Sequence, residues 1–447
     1  MTNHTVSNSR HPALMHRALL AIAVPIMVSN VSTPLLGVVD TAVMGRIPDP
    51  AYIGAVALGA LVFNFVFWGF GFLRMGTTGL TAQALGAANA GEIRASLGRA
   101  VLIAVGVGAV LVLLQWPIGE IAFGLLDGSP RVESLARDYY DIRIWAAPAT
   151  LINYALLGWF IGLSHARMAL VLQLVLNITN MLLDVLFVLG FEMGVQGVAL
   201  GTVMAEIVAA IVGFAIAARH LRRLGGTWNF ARLTGAGRMA RTLAVNRDIM
   251  IRSLALIVAF AWFLAQGARQ GEGILAANAV LTQFIGVAAF FLDGLAFAAE
   301  ALVGKAVGAI DRAALTAAAR MTTWWAGGVA AVMSVVYVLL GPIAIDILTV
   351  DATVRSLARA YLPWAAFAPF ISVWAFQLDG IFIGATRTPE MRNAMLASLA
   401  IFLIAWWLLR PFGNHGLWAS LYVHYAARAG TLLWYFPRLI RLTPFKA

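Results

Sequence analysis

The chain has 447 residues, of which 61% are hydrophobic and 11% charged, with a net charge of +11. A soluble protein carries about 25% charged residues to cover its surface, so a mean hydropathy of +0.86 over the whole length excludes a soluble enzyme, a disordered chain and a fibrous protein. There is no cysteine, hence no disulfide framework and no catalytic thiol, and the basic excess reads as the loops of a polytopic membrane protein rather than a nucleic-acid surface.

A membrane span needs about 20 mostly apolar residues. Breaks at charged, Gly and Pro clusters predict twelve spans, at 18–44, 52–75, 96–118, 138–162, 168–190, 196–218, 248–268, 274–302, 320–342, 361–384, 394–410 and 416–437. The first is too long for the apolar core of a signal peptide and reads as a retained span. The densest basic block joins spans 6 and 7, from Arg219 to Arg252, opposed only by Asp248. Putting it inside places most Lys and Arg on the cytoplasmic side; the external side keeps a minority that includes Arg131, Arg137 and Arg143. Both termini are then cytoplasmic. The expected organisation is a tail over 1–17, a first half over 18–218, a basic loop over 219–247, a second half over 248–437 and a tail over 438–447.

The two halves repeat at an offset of 219 to 222 residues. Leu135-Ala136-Arg137 recurs as Leu357-Ala358-Arg359, Ala147-Pro148 as Ala368-Pro369, and Ala84-Leu85-Gly86-Ala87 as Ala306-Val307-Gly308-Ala309. Gly158-Trp159-Phe160-Ile161-Gly162 recurs as Gly380-Ile381-Phe382-Ile383-Gly384. Six spans per half give both copies the same orientation, a parallel-repeat architecture found in transporters. The predicted fold class is therefore an all-α polytopic membrane protein of twelve transmembrane helices in two parallel six-helix repeats.

Each carboxylate within a span costs about 2.5–3.5 kcal/mol on insertion scales and so needs a reason. In span 5, Gln173, Asn177, Asn180 and Asp184 step by 4, 3 and 4 and share one helix face. Thr202 and Glu206 form an i, i+4 pair on span 6. Such a stripe serves an ion or substrate pathway, or interhelical hydrogen bonding. Asp40 stands late in span 1, after Pro25 and Pro34, each of which removes a helical hydrogen bond and permits a kink. Asp293 and Asp379 are the secondary candidates. Shifted by the repeat, Asp40 lands on Ala259 to Trp262 and Asp184 on Leu403 to Trp406. The second half is apolar and aromatic where the first is acidic, so ion chemistry is expected in the first half.

At these residues the sequence resembles the multidrug and toxic compound extrusion (MATE) family, in its DinF-like branch, over roughly residues 14 to 440. The resemblance rests on Pro25, Val39-Asp40-Thr41 to Met44-Gly45, Gly76-Thr77-Thr78 with Gln83 to Gly86, Asn177 to Asp184, and Gly194 to Ala199 leading to Thr202. It implies a bacterial inner-membrane secondary transporter whose two six-helix lobes enclose a central cavity and which exports amphiphilic, often cationic compounds against H+ or Na+. By resemblance, Asp40, Asn180, Asp184 and Thr202 form the proton or cation site, the only place a Na+ is expected. Pro25 is the hinge, and Asn177, Glu206, Asp293 and Asp379 are secondary. The acidic positions that other branches carry in the seventh helix are missing between Arg252 and Arg269.

No other metal, no cofactor and no nucleic-acid partner is expected, and the chain should act as a monomer among membrane lipids. The seven His form no i, i+4 pair within a span, and no Gly-Lys-Ser/Thr phosphate loop is present. An enzyme is not expected. The alternative function is a flippase for lipid-linked oligosaccharides, from the related superfamily. That activity calls for a cationic cavity, whereas the first-half spans here carry acids.

Overall fold

Long uninterrupted apolar stretches leave the backbone no water to bond, so each stretch satisfies its amides internally as a helix. The computed structural model describes residues 12–126 and 129–442 and is helical almost throughout. The first eleven residues of the 1–17 tail and the last five of the 438–447 tail lie outside the described residues.

The first half comprises α1 (Pro12–Met44), α2 (Ala51–Gly69), α3 (Phe72–Gly86), α4 (Ala90–Leu113), α5 (Gln115–Gly124), α6 (Pro130–Arg143), α7 (Ala147–Gly162), α8 (Ala166–Asp184) and α9 (Gly194–Leu224). A short α10 (Phe230–Thr234) precedes the second half: α11 (Ala236–Ala268), α12 (Glu272–Gly308), α13 (Arg312–Leu348), α14 (Ala352–Gly384), α15 (Thr388–Leu409) and α16 (Gly413–Leu442). Eleven runs are long and apolar enough to cross a membrane, and the last, Thr388–Arg441, contains both α15 and α16. The turn Arg410–Phe412 and Gly413 at φ +58° separate that pair, giving the twelve helices read from the sequence. Predicted span 3 runs past Leu113, where the chain turns into α5.

The repeat is visible in backbone geometry as well as in sequence. Non-glycine residues with positive φ recur 222 residues apart, Ala88 with Ile310 and Ser164 with Thr386. Helix caps recur at the same spacing. The Asn89 side chain accepts from Glu92 N at 3.0 Å where Asp311 accepts from Ala314 N at 2.9 Å, and Ser129 and Asp351 cap α6 and α14 alike. Close helix approach recurs too. A Cβ on Gly158 would stand 2.3 Å from the Arg74 carbonyl, and one on Gly380 would stand 2.4 Å from the Ala296 carbonyl. Small residues at such crossings let backbones meet where the membrane supplies no hydrophobic drive.

Two compact units result. The N-lobe unit holds residues 28–84 and 89–243; the C-lobe unit holds the chain up to 27, 85–88 and 244 onward. Helix α1 is thus divided after Met27, two residues beyond Pro25. In the C-lobe unit a core of aliphatic and aromatic side chains gathers around Phe263, Leu281, Phe402, Trp418 and Tyr425. In the N-lobe unit, the segment read as a basic loop is largely helical and pinned by two buried arginines. Arg94 donates to the Leu221 and Gly225 carbonyls at the end of α9. Arg99 pairs with Glu92 and donates to the Arg232 carbonyl and to Thr242 Oγ1, at 2.8 and 3.2 Å for the last two.

Candidate functional site

Helix α8 ends at Asp184 in a wide π turn, Val185–Gly190, a departure from α geometry that recurs at functional positions. The polar stripe predicted on this helix faces inward: Asn177, Asn180 and Asp184 are all buried. Asn177 donates to Ser32 Oγ of α1 at 2.9 Å and accepts from Gln173 at 3.1 Å. The Asn180 amide, oriented to suit its neighbours, donates to Asp184 Oδ2 at 3.2 Å and accepts from Thr202 N and Oγ1 at 3.1 Å. Asp184 packs onto α9 where that helix has no side chain, since a Cβ on Gly201 would lie 2.5 Å from Asp184 Oδ1.

Asp40 of α1 meets Asp184 within hydrogen-bonding range. Oδ1 of each carboxyl is buried and without a partner. Arg143 lies close enough to act electrostatically on Asp40, Asp184 and Glu206. Its Nη1 donates to Tyr139 at 2.5 Å and its guanidinium covers the Phe63 ring at 4.9 Å. Counting charges for topology put Arg143 on the external side as a span-end residue. It ends α6 within the apolar run Pro130–Gly162. Glu206, one turn beyond Thr202, accepts from Asn153 at 2.7 Å.

The predicted residues Asp40, Asn177, Asn180, Asp184, Thr202 and Glu206 therefore gather in the N-lobe unit. Pro25 lies within α1 but in the C-lobe unit. Sequence reading missed Arg143, Tyr139, Asn153, Ser32 and Gly201. The first two were legible as an i, i+4 pair, but neither composition nor spacing says that the pair faces α1 and α8.

Asp379 and Asp293 lie elsewhere, in the C-lobe unit. Asp379 is buried on α14 and takes both Arg252 of α11 and Arg428 of α16 on its Oδ2. Asp293 acts on Arg252 electrostatically. The expected apolar and aromatic character of the second half concerns the positions matching Asp40 and Asp184; elsewhere in that half two guanidinium groups and a carboxylate are buried together. The sequence reading counted Arg252 in the basic block joining spans 6 and 7 and paired Asp379 with neither arginine.

At the 222-residue offset fixed by the backbone, Asp40 and Asp184 correspond to Trp262 and Trp406, and these two rings meet edge to face at 5.2 Å. Asn180 and Thr202 correspond to Phe402 and His424, also in ring contact at 5.7 Å. Glu206 corresponds to Arg428. The same helix contacts are kept while acids and amides give way to aromatic rings and a guanidinium.

No cluster of three or more His, Cys, Asp or Glu able to hold a metal occurs among the described residues. For an alkali cation the N-lobe donors are oxygens only: two carboxyls, an amide and a hydroxyl, the set a hard cation takes.

The MatE family model matches residues 25–186 and again 249–408, one copy in each half. The chain is 43% identical over 416 residues to DNA damage-inducible protein F of Escherichia coli strain K12, covering 93% of this chain and 91% of that one. It is 28% identical over 444 residues to a probable multidrug resistance protein NorM of Rhizobium meliloti strain 1021, covering 95% and 94%. Its fold matches a Vibrio cholerae MATE transporter in the bent form with a TM-score of 0.86 at 17% identity, over 97% of this chain and 99% of that one. A family model matched twice across most of the sequence, on a fold shared with solved members, settles the assignment: the chain belongs to the MATE family of multidrug efflux transporters.

Proposed function

We propose that the chain is a secondary antiporter of the inner membrane that exports amphiphilic, often cationic organic compounds in exchange for H+, with the proton carried at Asp40 and Asp184. The observation that carries this reading is the approach of the half-buried Asp40 carboxyl to the buried Asp184 carboxyl, to hydrogen-bonding range. Two like charges at that range do not both ionise in a low dielectric, so the pair holds one proton readily and titrates as a unit. Losing that proton changes what Asn180 and Thr202 can donate to and what Arg143 neutralises. Because Asp40 is on α1, the protonation state bears on that helix, whose Pro25 would absorb a bend. Soft and aromatic surfaces then give broad recognition of substrates.

The topology proposed with this function puts both termini and the segment 219–247 in the cytoplasm, with 18–218 and 248–437 as the two lobes. The chain would work as a monomer.

The test is dye efflux from proteoliposomes. An imposed pH gradient, inside acidic for inverted carriers, should drive movement of a cationic dye. An imposed Na+ gradient at equal pH should not. Drive by Na+ alone would turn the oxygen donors of Asp40, Asp184, Asn180 and Thr202 into a sodium site. Drive by neither would reject the antiport reading.

A further inference from the structure

In the C-lobe unit a cavity of about 750 Å³ runs between α13, α14 and α16. That volume is within the roughly 300–1,000 Å³ of small-molecule sites. Its lining is mostly apolar, and its few polar residues gather at one end, where Ala319, Leu378 and Ile381 also line it. Thr316, Arg320, Thr323 and Gln377 line it near the start of α13 and the end of α14. Trp324, Phe370 and Trp374 line the rest, with Gly327 and Gly328 and, from α16, Leu433 and Phe436. A Cβ on Gly328 would meet nothing within 4 Å, and one on Gly327 would lie 3.6 Å from Trp374.

Two polar groups at the polar end lack what they need. Gln377 is 1% exposed, and both its amide nitrogen and its amide oxygen are buried without a hydrogen-bond partner. Such a group costs about 1–3 kcal/mol if nothing bonds it. Arg320 is exposed and makes no ion pair among the described residues.

Depth identifies the occupant. At about 1.5 Å per residue, Arg320 lies roughly 12 Å into α13 and Gln377 roughly 10 Å from the end of α14. By the same rise, Gly328 and Phe370 lie roughly 21–24 Å in. The apolar part is thus about 10–12 Å long, close to the reach of one leaflet in a hydrocarbon core of about 30 Å. We propose that this groove binds an anionic phospholipid with a hydroxylated headgroup, phosphatidylglycerol being the simplest. Its phosphate sits on Arg320, its acyl chain lies along Trp324, Phe370 and Trp374, and its glycerol oxygens and hydroxyls bond the Gln377 amide once that side chain turns from its buried pose into the cavity. Basic pockets between membrane helices hold anionic headgroups in this way.

The experiment uses the purified full chain, stripped of lipid in mild detergent and offered equal amounts of phosphatidylglycerol and phosphatidylcholine with matched chains. Bound lipid is counted by native mass spectrometry, which needs no transport activity. The wild-type chain should retain phosphatidylglycerol over phosphatidylcholine about five-fold, the scale of one favourable basic contact. Arg320→Gln, at an exposed position, should erase the preference while leaving total binding. Gly328→Leu, which projects into open space, should lower retention of both lipids. If that variant does not fold, Arg320→Gln and Gly328→Ala carry the test, since Gly→Ala favours the helix. Equal retention of the two lipids by the wild-type chain would overturn the proposal. So would displacement of the lipid, one for one, by an exported cationic dye, which would give the groove to the transported substrate.

Discussion

Asp184 separates coupling from structure at a single side chain. Asp184→Asn keeps size and hydrogen-bonding capacity but cannot change charge. If the residue only ties helices together, Asn should suffice, because interhelical hydrogen bonds in membranes average about 0.6 kcal/mol. If it carries the coupling proton, efflux should collapse while the protein inserts and melts normally, and Asp40→Asn should match it. Normal efflux by a well-expressed Asp184→Asn protein, with unchanged dependence on the gradient, would sink the mechanism. Gly201 gives an independent residue-level test. Alanine there would stand 2.5 Å from Asp184 Oδ1, so Gly201→Ala should displace the carboxyl from Asn180 and impair efflux. The steric cost should be about 1–3 kcal/mol, and a melting curve separates that cost from the loss of transport. The sequence made the acids legible because an ionisable group inside an apolar run is conspicuous. It hid Gly201 because a glycine matters here only through the neighbour that fills its space, and it hid Arg143 because a basic residue at a span end looks the same whether it faces water or a carboxylate.

Among the helices, α11, α14 and α16 are joined by the buried group Arg252, Asp379 and Arg428. Burying charges is seldom a net gain, yet removing one partner of a buried group costs about 3–5 kcal/mol, because the remaining charges lose their counter-ion. Asp379→Ala strands two guanidinium groups and should lower the unfolding temperature in detergent. Combining it with Arg252→Met and Arg428→Met, which removes the stranded charges, should restore much of that loss. In proteoliposomes the triple variant should keep its dependence on the ion gradient. Loss of coupling in a stable triple variant would make Asp379 part of the ion pathway. Helix positions were the most legible feature of the sequence, since hydropathy alone sets span number and length. Helix neighbours were not legible: hydropathy says that α11, α14 and α16 cross the membrane, and not that Arg252 meets Asp379 from 127 positions away.

For the whole molecule, the topology is open to direct labelling because the chain has no cysteine of its own. A cysteine introduced near Gly226, in the segment between α9 and α10, should react with an impermeant reagent only from the cytoplasmic side. Reaction from outside would invert the assignment. The repeat raises a different question: why two halves with the same caps, turns and glycine crossings carry unlike chemistry at matching positions. A duplicated fold keeps backbone contacts because they hold the helices at fixed spacing, while the side chains at a given crossing are free to diverge as long as they fill the same space. The carboxyl pair Asp40 and Asp184 and the ring pair Trp262 and Trp406 occupy equivalent crossings, one suited to holding a proton and the other to offering aromatic surface. If the lobes divide the work in that way, Trp262→Ala or Trp406→Ala should change which dyes are exported, and in what order of preference. The pH-gradient dependence of the dyes still exported should remain that of the wild-type chain. Aromatic surface discriminates between flat cations and bulky aliphatic ones by about 0.5–2 kcal/mol, so shifts of a few-fold to some thirty-fold between dyes are expected, best read as ratios within one preparation. Equal loss of every dye, or loss of the gradient dependence itself, would mean that the C-lobe rings take part in coupling and that the two halves do not divide the labour.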